Sequence, residues 1–179
     1  MDRKFTFLIL FILLCSLLQA QDKWKTVTDE KSGRQMLIGE ISREALKDTS
    51  FSWWFDSEYE GYAVKSKELE GVEDRIKDYD ITIVMGTWCS DSRREVPRFL
   101  KILDTLKYPE GKLKILSVDR KRKALNSEAD SMKIELVPTF ILSKGGKESG
   151  RITEAPVETL ETDLNNIISG KTDNNAKKE

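Results

Sequence analysis

The stretch Ile81-Thr82-Ile83-Val84-Met85 is short, apolar and rich in branched residues, the pattern of a strand buried on both faces. Just beyond it the period changes. Val96, Phe99, Leu100, Leu103 and Leu106 recur at helical spacing, which predicts a helix over 90–106 with Pro97 inside it as a kink. Tyr108-Pro109-Glu110-Gly111 reads as a turn and Leu113 to Val118 as a second strand. A polar stretch with a short helix over 127–133 leads to Val137-Pro138, and Thr139 to Leu142 forms a third strand. Lys144-Gly145-Gly146-Lys147 reads as a hairpin loop that returns through Glu148 to Ile152. Val157, Leu160, Leu164, Ile167 and Ile168 mark a closing amphipathic helix, with Gly170 as its stop. The order β-α-β-α-β-β-α implies one parallel pair joined by a crossover and one antiparallel hairpin. The expected class is α/β, a mixed β-sheet flanked by helices.

Upstream the pattern is less regular. Asp22 to Arg34 is polar and reads as loosely ordered, Met36 to Ile41 as a short strand, and Ser42 as the cap of a short helix through Ala45 and Leu46. The aromatic cluster Phe51, Trp53, Trp54, Phe55, Tyr59 and Tyr62 is read first as a satellite core, with a ligand surface as the alternative. Leu69, Val72, Ile76 and Tyr79 fall on one stripe, which predicts a helix over 66–79. At the N-terminus, Arg3 and Lys4 precede the apolar run Phe5 to Leu14, and Leu18-Gln19-Ala20 forms an imperfect small-residue cleavage site. This reads as a signal peptide with Gln21 as the mature start and a periplasmic or secreted destination. Phe5 to Leu18 falls short of the roughly 20 residues of a membrane span, so no stable span is expected after cleavage. The resulting division is a signal peptide (1–20), an N-terminal α+β extension packing on the core (21–79), a core domain (80–169) and a disordered tail (170–179).

Charge narrows the partners. The 30 basic and 31 acidic residues nearly cancel, which argues against a nucleic-acid binder. The chain has no histidine and two cysteines, and Cys15 falls in the signal segment. One cysteine cannot build the usual zinc sites, so no metal and no bound cofactor are expected. Cys89 remains, between the end of a strand and the start of a helix, where unpaired N–H groups and the helix dipole favour negative charge. Arg93 and Arg94 add positive potential, and Asp91 opposes it. A lone cysteine in an oxidising compartment suggests a free reactive thiol or intermolecular pairing, including a disulfide-linked dimer.

Several features now agree in order. Trp88-Cys89 ends a buried strand, Pro97 comes eight residues later, Leu113 to Asp119 supplies a strand with an aspartate at its exit, and Val137-Pro138-Thr139 is followed eight residues after the proline by Gly146. Residues of roughly 80–169 thereby resemble the thioredoxin superfamily, particularly its exported bacterial members. The resemblance implies a thioredoxin-like three-layer sandwich. It implies that Cys89 is the attacking thiol and that Pro138 is a cis-proline shaping a substrate groove. Val137 would offer backbone hydrogen bonds to an extended client, and Trp88 and Thr139 would complete the groove. Two departures stand out. Ser92 occupies the place of the second cysteine, giving Cys-x-x-Ser, and Ile83 stands where many thioredoxins carry a buried aspartate.

The expected function is therefore monothiol thiol–disulfide exchange. The Cys89 thiolate attacks a disulfide of a client protein or of a small thiol, one sulfur leaves as thiolate, and an external thiol reductant resolves the mixed disulfide that remains. Ser92 can hydrogen-bond the thiolate but cannot attack the disulfide. The alternative is a non-catalytic binding or chaperone module that uses the same groove. A peroxidase is a more distant reading, because Gly86 stands where such enzymes usually carry threonine three residues before the cysteine. The loop Arg120-Lys121-Arg122-Lys123 is read as a solvated charge run, with steering of acidic substrates or an anionic thiol such as glutathione as the alternative.

Overall fold

The computed structural model describes residues 23–171. The segment read as a signal peptide, with its expected cleavage after Ala20, and the tail beyond Lys171 lie outside the described residues. Six strands form one sheet: β1 (Trp24–Thr28), β2 (Gln35–Ile41), β3 (Asp80–Met85), β4 (Leu113–Ser117), β5 (Thr139–Lys144) and β6 (Lys147–Thr153), in the spatial order β1-β2-β4-β3-β5-β6. Only β3 and β4 run parallel, with Ile83 opposite Ile115; every other pairing is antiparallel. Among the described residues three α-helices accompany the sheet: α1 (Ser52–Gly61), α2 (Ser90–Thr105) and α3 (Leu160–Ile168). This is the mixed α/β architecture with flanking helices that the hydrophobic pattern anticipates.

The period-2 geometry of β3 sorts its side chains between two cores. Ile81, Ile83 and Met85 face a large cluster with Trp54 and Phe55 of α1, Phe99 and Leu103 of α2, and Leu160 and Leu164 of α3. Val84 faces the opposite side, with Leu116, Val118, Val137 and Ile141, and Trp88 and Cys89 pack against this second cluster. The three α-helices thus share one face. The other is covered mainly by the segment between β4 and β5, whose regular part is a 3-10 turn over Asp130–Met132. The helix expected over 127–133 is reduced to that turn, with Ser127 and Lys133 both at positive φ (56° and 52°) where a right-handed helix cannot continue.

Three other expectations need correction, and the short helix after Ser42 is present in 3-10 form. The segment expected to be loose contains β1, which pairs with β2 from Trp24 opposite Gly39 to Thr28 opposite Gln35. Its side chains are mostly exposed, so it carries no hydrophobic signal; backbone pairing alone makes it a strand. The 66–79 segment is not an α-helix but two 3-10 turns, Ser66–Leu69 and Ile76–Asp78, separated by Gly71 at φ 74°. Leu69, Val72, Ile76 and Tyr79 are all buried as the stripe required; a helical period reports burial, not the connecting backbone. The short helix after Ser42 is also 3-10, over Glu44–Lys47, with the Ala45 N–H donating to Ser42 Oγ at 3.4 Å. The last helix starts at Leu160 rather than Val157. Val157 is exposed, and Thr159 caps the helix by accepting from the Thr162 N–H at 3.1 Å.

The aromatic segment becomes α1. Phe51, Trp54 and Phe55 are buried in the main core and Tyr59 and Tyr62 pack against it, so burial accounts for most of the cluster. Trp53 is the exception, pointing outward from the same helix.

Candidate thiol site

Cys89 is the N-cap of α2, extended in backbone (φ −89°, ψ 130°) and half-buried. The turn leading to it closes with the Cys89 N–H donating to the Gly86 carbonyl at 2.9 Å, and the Arg93 N–H donates back to the Cys89 carbonyl at 3.1 Å. The thiol donates to the Val137 carbonyl at 3.2 Å. That carbonyl belongs to the Val137-Pro138 peptide bond, which is cis. Two loops distant in sequence, at the C-terminal end of β3 and the entry to β5, thus meet at the sulfur.

The remaining candidates take different places. Trp88 is half-buried, and its indole N–H donates to the Val118 carbonyl at 2.9 Å, which ties the turn to the exit of β4. The ring lies directly over Gly86: a Cβ there would come within 2.6 Å of Trp88, so a side chain at this position would push the indole off its bond. Val137 and Pro138 are buried, so what they present to the thiol is backbone. Thr139 is also buried; its hydroxyl donates to the Leu136 carbonyl at 2.7 Å, so it braces the loop rather than facing a client. Ser92 is fully buried, and its hydroxyl accepts from the Gly86 N–H at 3.2 Å. Among the described residues no hydrogen bond joins Ser92 to Cys89. Ile83 is buried between Ile115 and Phe140, so the space beneath the site is apolar at that position. Asp119 accepts from the Lys121 and Lys123 N–H groups, both at 2.8 Å, and so shapes its own loop.

Two arginines frame the turn. Arg93 donates from Nε to the Thr87 carbonyl at 2.6 Å and lies 5.9 Å from the centroid of the exposed Trp53 ring. Arg120 lies 4.8 Å over the Trp88 ring and forks onto Asp29, with both N–O distances 2.8 Å. Asp29 opens the turn between β1 and β2, is buried, and also accepts from the Ser32 hydroxyl. The β1–β2 hairpin therefore reaches the thiol end of the sheet through one charged pair. Sequence reasoning missed this link: Asp29 lies 91 residues from Arg120, and nothing local marks it. Trp53 was visible as an aromatic residue, but only the structure separates it from its buried neighbours.

The Asp29 link has a pH signature. The Arg120 hydrogen bonds, then that of Ser32, hold the Asp29 carboxyl well below the usual carboxylate range. A lowered folded-state pKa adds stability that is present above the unfolded value of about 3.9 and is lost as pH falls through the folded one. Asp29→Asn is therefore expected to lower stability at neutral pH, with the gap to wild type narrowing in acid below about pH 4. Chemical denaturation of both proteins across that range checks this; a gap that does not change with pH contradicts it.

No group of three or more histidine, cysteine, aspartate and glutamate side chains is arranged to hold a metal ion among the described residues. The arrangement does suit sulfur chemistry: a half-exposed thiol at a helix N-terminus, one carbonyl acceptor, and flanking cations.

Comparison with known proteins agrees with this geometry. Residues 67–167 match the Thioredoxin family. Thioredoxin H2-2 of Oryza sativa subsp. japonica is 33% identical over 84 residues, covering 47% of this chain and 58% of that protein. Thioredoxin Y1, chloroplastic, of Arabidopsis thaliana is 30% identical over 94 residues, covering 51% of this chain and 52% of that protein. The chain thus spans little more than half the length of these curated relatives. Among solved structures, a Pseudomonas aeruginosa protein of unknown function aligns at a TM-score of 0.45 and 13% identity, over 67% of this chain and 82% of that one. Oxidised mitochondrial thioredoxin 3 of Saccharomyces cerevisiae aligns at 0.36 and 21%, over 56% and 88%. Both structural likenesses are distant. The family match covers more than half of the chain and includes the thiol turn, both parallel strands and the Val137-Pro138 loop: the chain belongs to the thioredoxin family.

Proposed function

We propose that this protein is an exported monothiol thiol–disulfide exchange protein with Cys89 as its nucleophile. The observation that carries the reading is the half-exposed Cys89 thiol, which caps α2 and meets the Val137 carbonyl, while Ser92 is buried and bonded to Gly86. Family membership supports sulfur exchange as the reaction class. The Cys89 thiolate attacks one sulfur of a client disulfide, a Cys89–client disulfide forms, and the other client sulfur leaves as a thiolate. Ser92 cannot expel the client, so an external thiol, or the client's own freed thiol, attacks the mixed disulfide and releases Cys89 reduced. This suits isomerisation and mixed-disulfide reduction better than net dithiol reduction.

The resolving position gives the test. Ser92→Cys places a second thiol three residues after Cys89 on the same helix, and a trapped client should leave that variant at least about tenfold faster than wild type, because resolution becomes intramolecular. Lifetimes of a defined mixed disulfide, followed by non-reducing electrophoresis without added thiol, check this. Equal lifetimes would contradict the assignment of position 92. Export rests on the residues 1–20 signal pattern, and N-terminal sequencing of the mature protein, expected to begin at Gln21, tests it.

A further inference from the structure

The basic residues around Cys89 fall into two groups. Four are neutralised: Arg94 pairs with Asp91 at 2.8 Å and Glu95 at 2.5 Å, Arg98 with Glu58 at 2.6 Å, Arg120 with Asp29 at 2.8 Å, and Lys123 with Asp130 at 2.8 Å, while Lys121 and Arg122 between the last two are exposed and have no carboxylate partner among the described residues. The loop that begins at Arg120 is thus tied down at Arg120 and Lys123. Arg93 is different. It is half-buried, its Nε–H goes to a neutral carbonyl, its ring contact is Trp53, and no carboxylate pairs with it among the described residues. Arg34 on the β1–β2 side is exposed and likewise has no carboxylate partner there.

These charges feel one another. Burial first, then repulsion from Arg34 and Arg120, pulls the Arg93 pKa down from its ordinary value, with Cys89 and Asp29 acting the other way. A partly desolvated guanidinium without a counter-charge is unfavourable and gains from an anion supplied from outside. Two exposed apolar side chains belong to the elements that meet here: Trp53, 61% exposed, against Arg93, and Leu136, 46% exposed, the residue before the Val137 whose carbonyl receives the thiol.

We infer that the client of Cys89 is a polypeptide cysteine flanked by acidic side chains, with a carboxylate on Arg93 and neighbouring apolar groups on Trp53 and Leu136. This rests on the reading of Cys89 as the attacking thiol. It deepens that reading by assigning the substrate's charge. A polypeptide is favoured over a small thiol because the groups invoked come from three separate elements, Trp53 from α1, Arg93 from α2 and Leu136 from the loop before β5.

Three short peptides test it, identical except for flanking Glu, Gln or Lys, each with one cysteine carried as a 2-thiopyridyl disulfide. The Cys89 thiolate attacks the peptide sulfur, the bond to thiopyridyl breaks, a Cys89–peptide disulfide forms, and the leaving thiolate takes up a proton to give thiopyridone, whose absorbance is followed. The Glu peptide should react about tenfold faster than the Gln peptide and the Lys peptide slower, with the spread shrinking as salt rises. Arg93→Gln should bring the Glu peptide to the Gln peptide's rate, and Arg93→Lys should keep most of the preference. Arg34→Gln, at an exposed position whose backbone bonds in the β1–β2 turn the variant keeps and whose side chain has no bonding partner among the described residues, should narrow the spread without altering the fold. Equal rates for the three peptides with wild type, or a preference untouched by both glutamine variants, would overturn the substrate class alone. The thiopyridyl disulfide of a single acidic mercapto acid reacting as fast as the Glu peptide would overturn the polypeptide assignment. No thiopyridone from any of the peptides would overturn the Cys89 reading as well, so the two failures are distinct.

Discussion

Cys89→Ser is expected to abolish mixed-disulfide formation while leaving the fold in place. A serine hydroxyl is not appreciably ionised near neutral pH and forms no bond to a client sulfur comparable to a disulfide, so exchange should fall by more than about a thousandfold. Stability should change by no more than about 0.5–1 kcal/mol. Cys89 is half-exposed at the helix cap, and its side-chain bond goes to the Val137 carbonyl, a bond a serine hydroxyl can also make. The variant thereby separates the two functions the sequence left open. Thiopyridone release and urea denaturation on the same preparation check the expectation. Loss of exchange together with loss of client capture or of biological function supports the thiol enzyme. Unchanged biological function in the variant would favour the binding module.

Phe99→Ala is expected to cost about 3–5 kcal/mol, the largest single stability loss in the account. Phe99 is fully buried on the inner side of α2, with its ring centroid 4.4 Å from that of Phe140 on β5. Phe140 lies opposite Ile83 of β3, so the truncation opens a cavity where α2 meets the centre of the sheet. Against a domain stability of roughly 5–15 kcal/mol, this removes a large fraction. Function should suffer too. The N-terminus of α2 carries Cys89, and β5 begins one residue after Pro138, so the aromatic pair braces both sides of the thiol–carbonyl contact. The denaturant midpoint should drop sharply with the slope unchanged. Val157→Ala, at a residue 78% exposed, should stay within about 0.5 kcal/mol of wild type. A Phe99→Ala loss no larger than that of Val157→Ala would contradict the packing described.

The central strands and the thiol turn were legible because their signals are local. A branched apolar run made β3, a clean 3.6-residue period made α2, and Lys144-Gly145-Gly146-Lys147 made the β5–β6 hairpin. The family match over residues 67–167 falls on these same elements. The miscalled elements are those whose structure depends on distant partners. β1 is mostly exposed and exists through pairing with β2, and β2 in turn joins the sheet by pairing with β4, where Ile41 faces Ile115. The stripe from Leu69 to Tyr79 was correctly read as buried but wrongly read as helical, because 3-10 turns interrupted by Gly71 can bury the same four side chains.

The site was legible to a similar extent. Cys89 and Val137-Pro138 could be named from their motifs, and the structure brings them to 3.2 Å. Ser92 could be placed but not its hydroxyl, which serves Gly86. The charge around the thiol was harder to read. The basic run from Arg120 drew attention in the sequence, yet Asp29 and Asp130 neutralise its two ends. Arg93 retains an uncompensated charge because its Nε–H goes to a neutral carbonyl and no carboxylate pairs with it among the described residues. Counting basic residues does not reveal which of them are paired.

The most direct measurement is the fate of the wild-type Cys89–client disulfide. The reduced protein is mixed with a peptide whose single cysteine is carried as a 2-thiopyridyl disulfide, so that the leaving thiopyridone cannot re-attack, then quenched with an alkylating agent at successive times and analysed by intact mass. The account predicts a single adduct, located on Cys89, that persists until an external thiol is added and then disappears to restore the free protein. No adduct on Cys89, or an adduct that clears at the same rate without any added thiol, would contradict it.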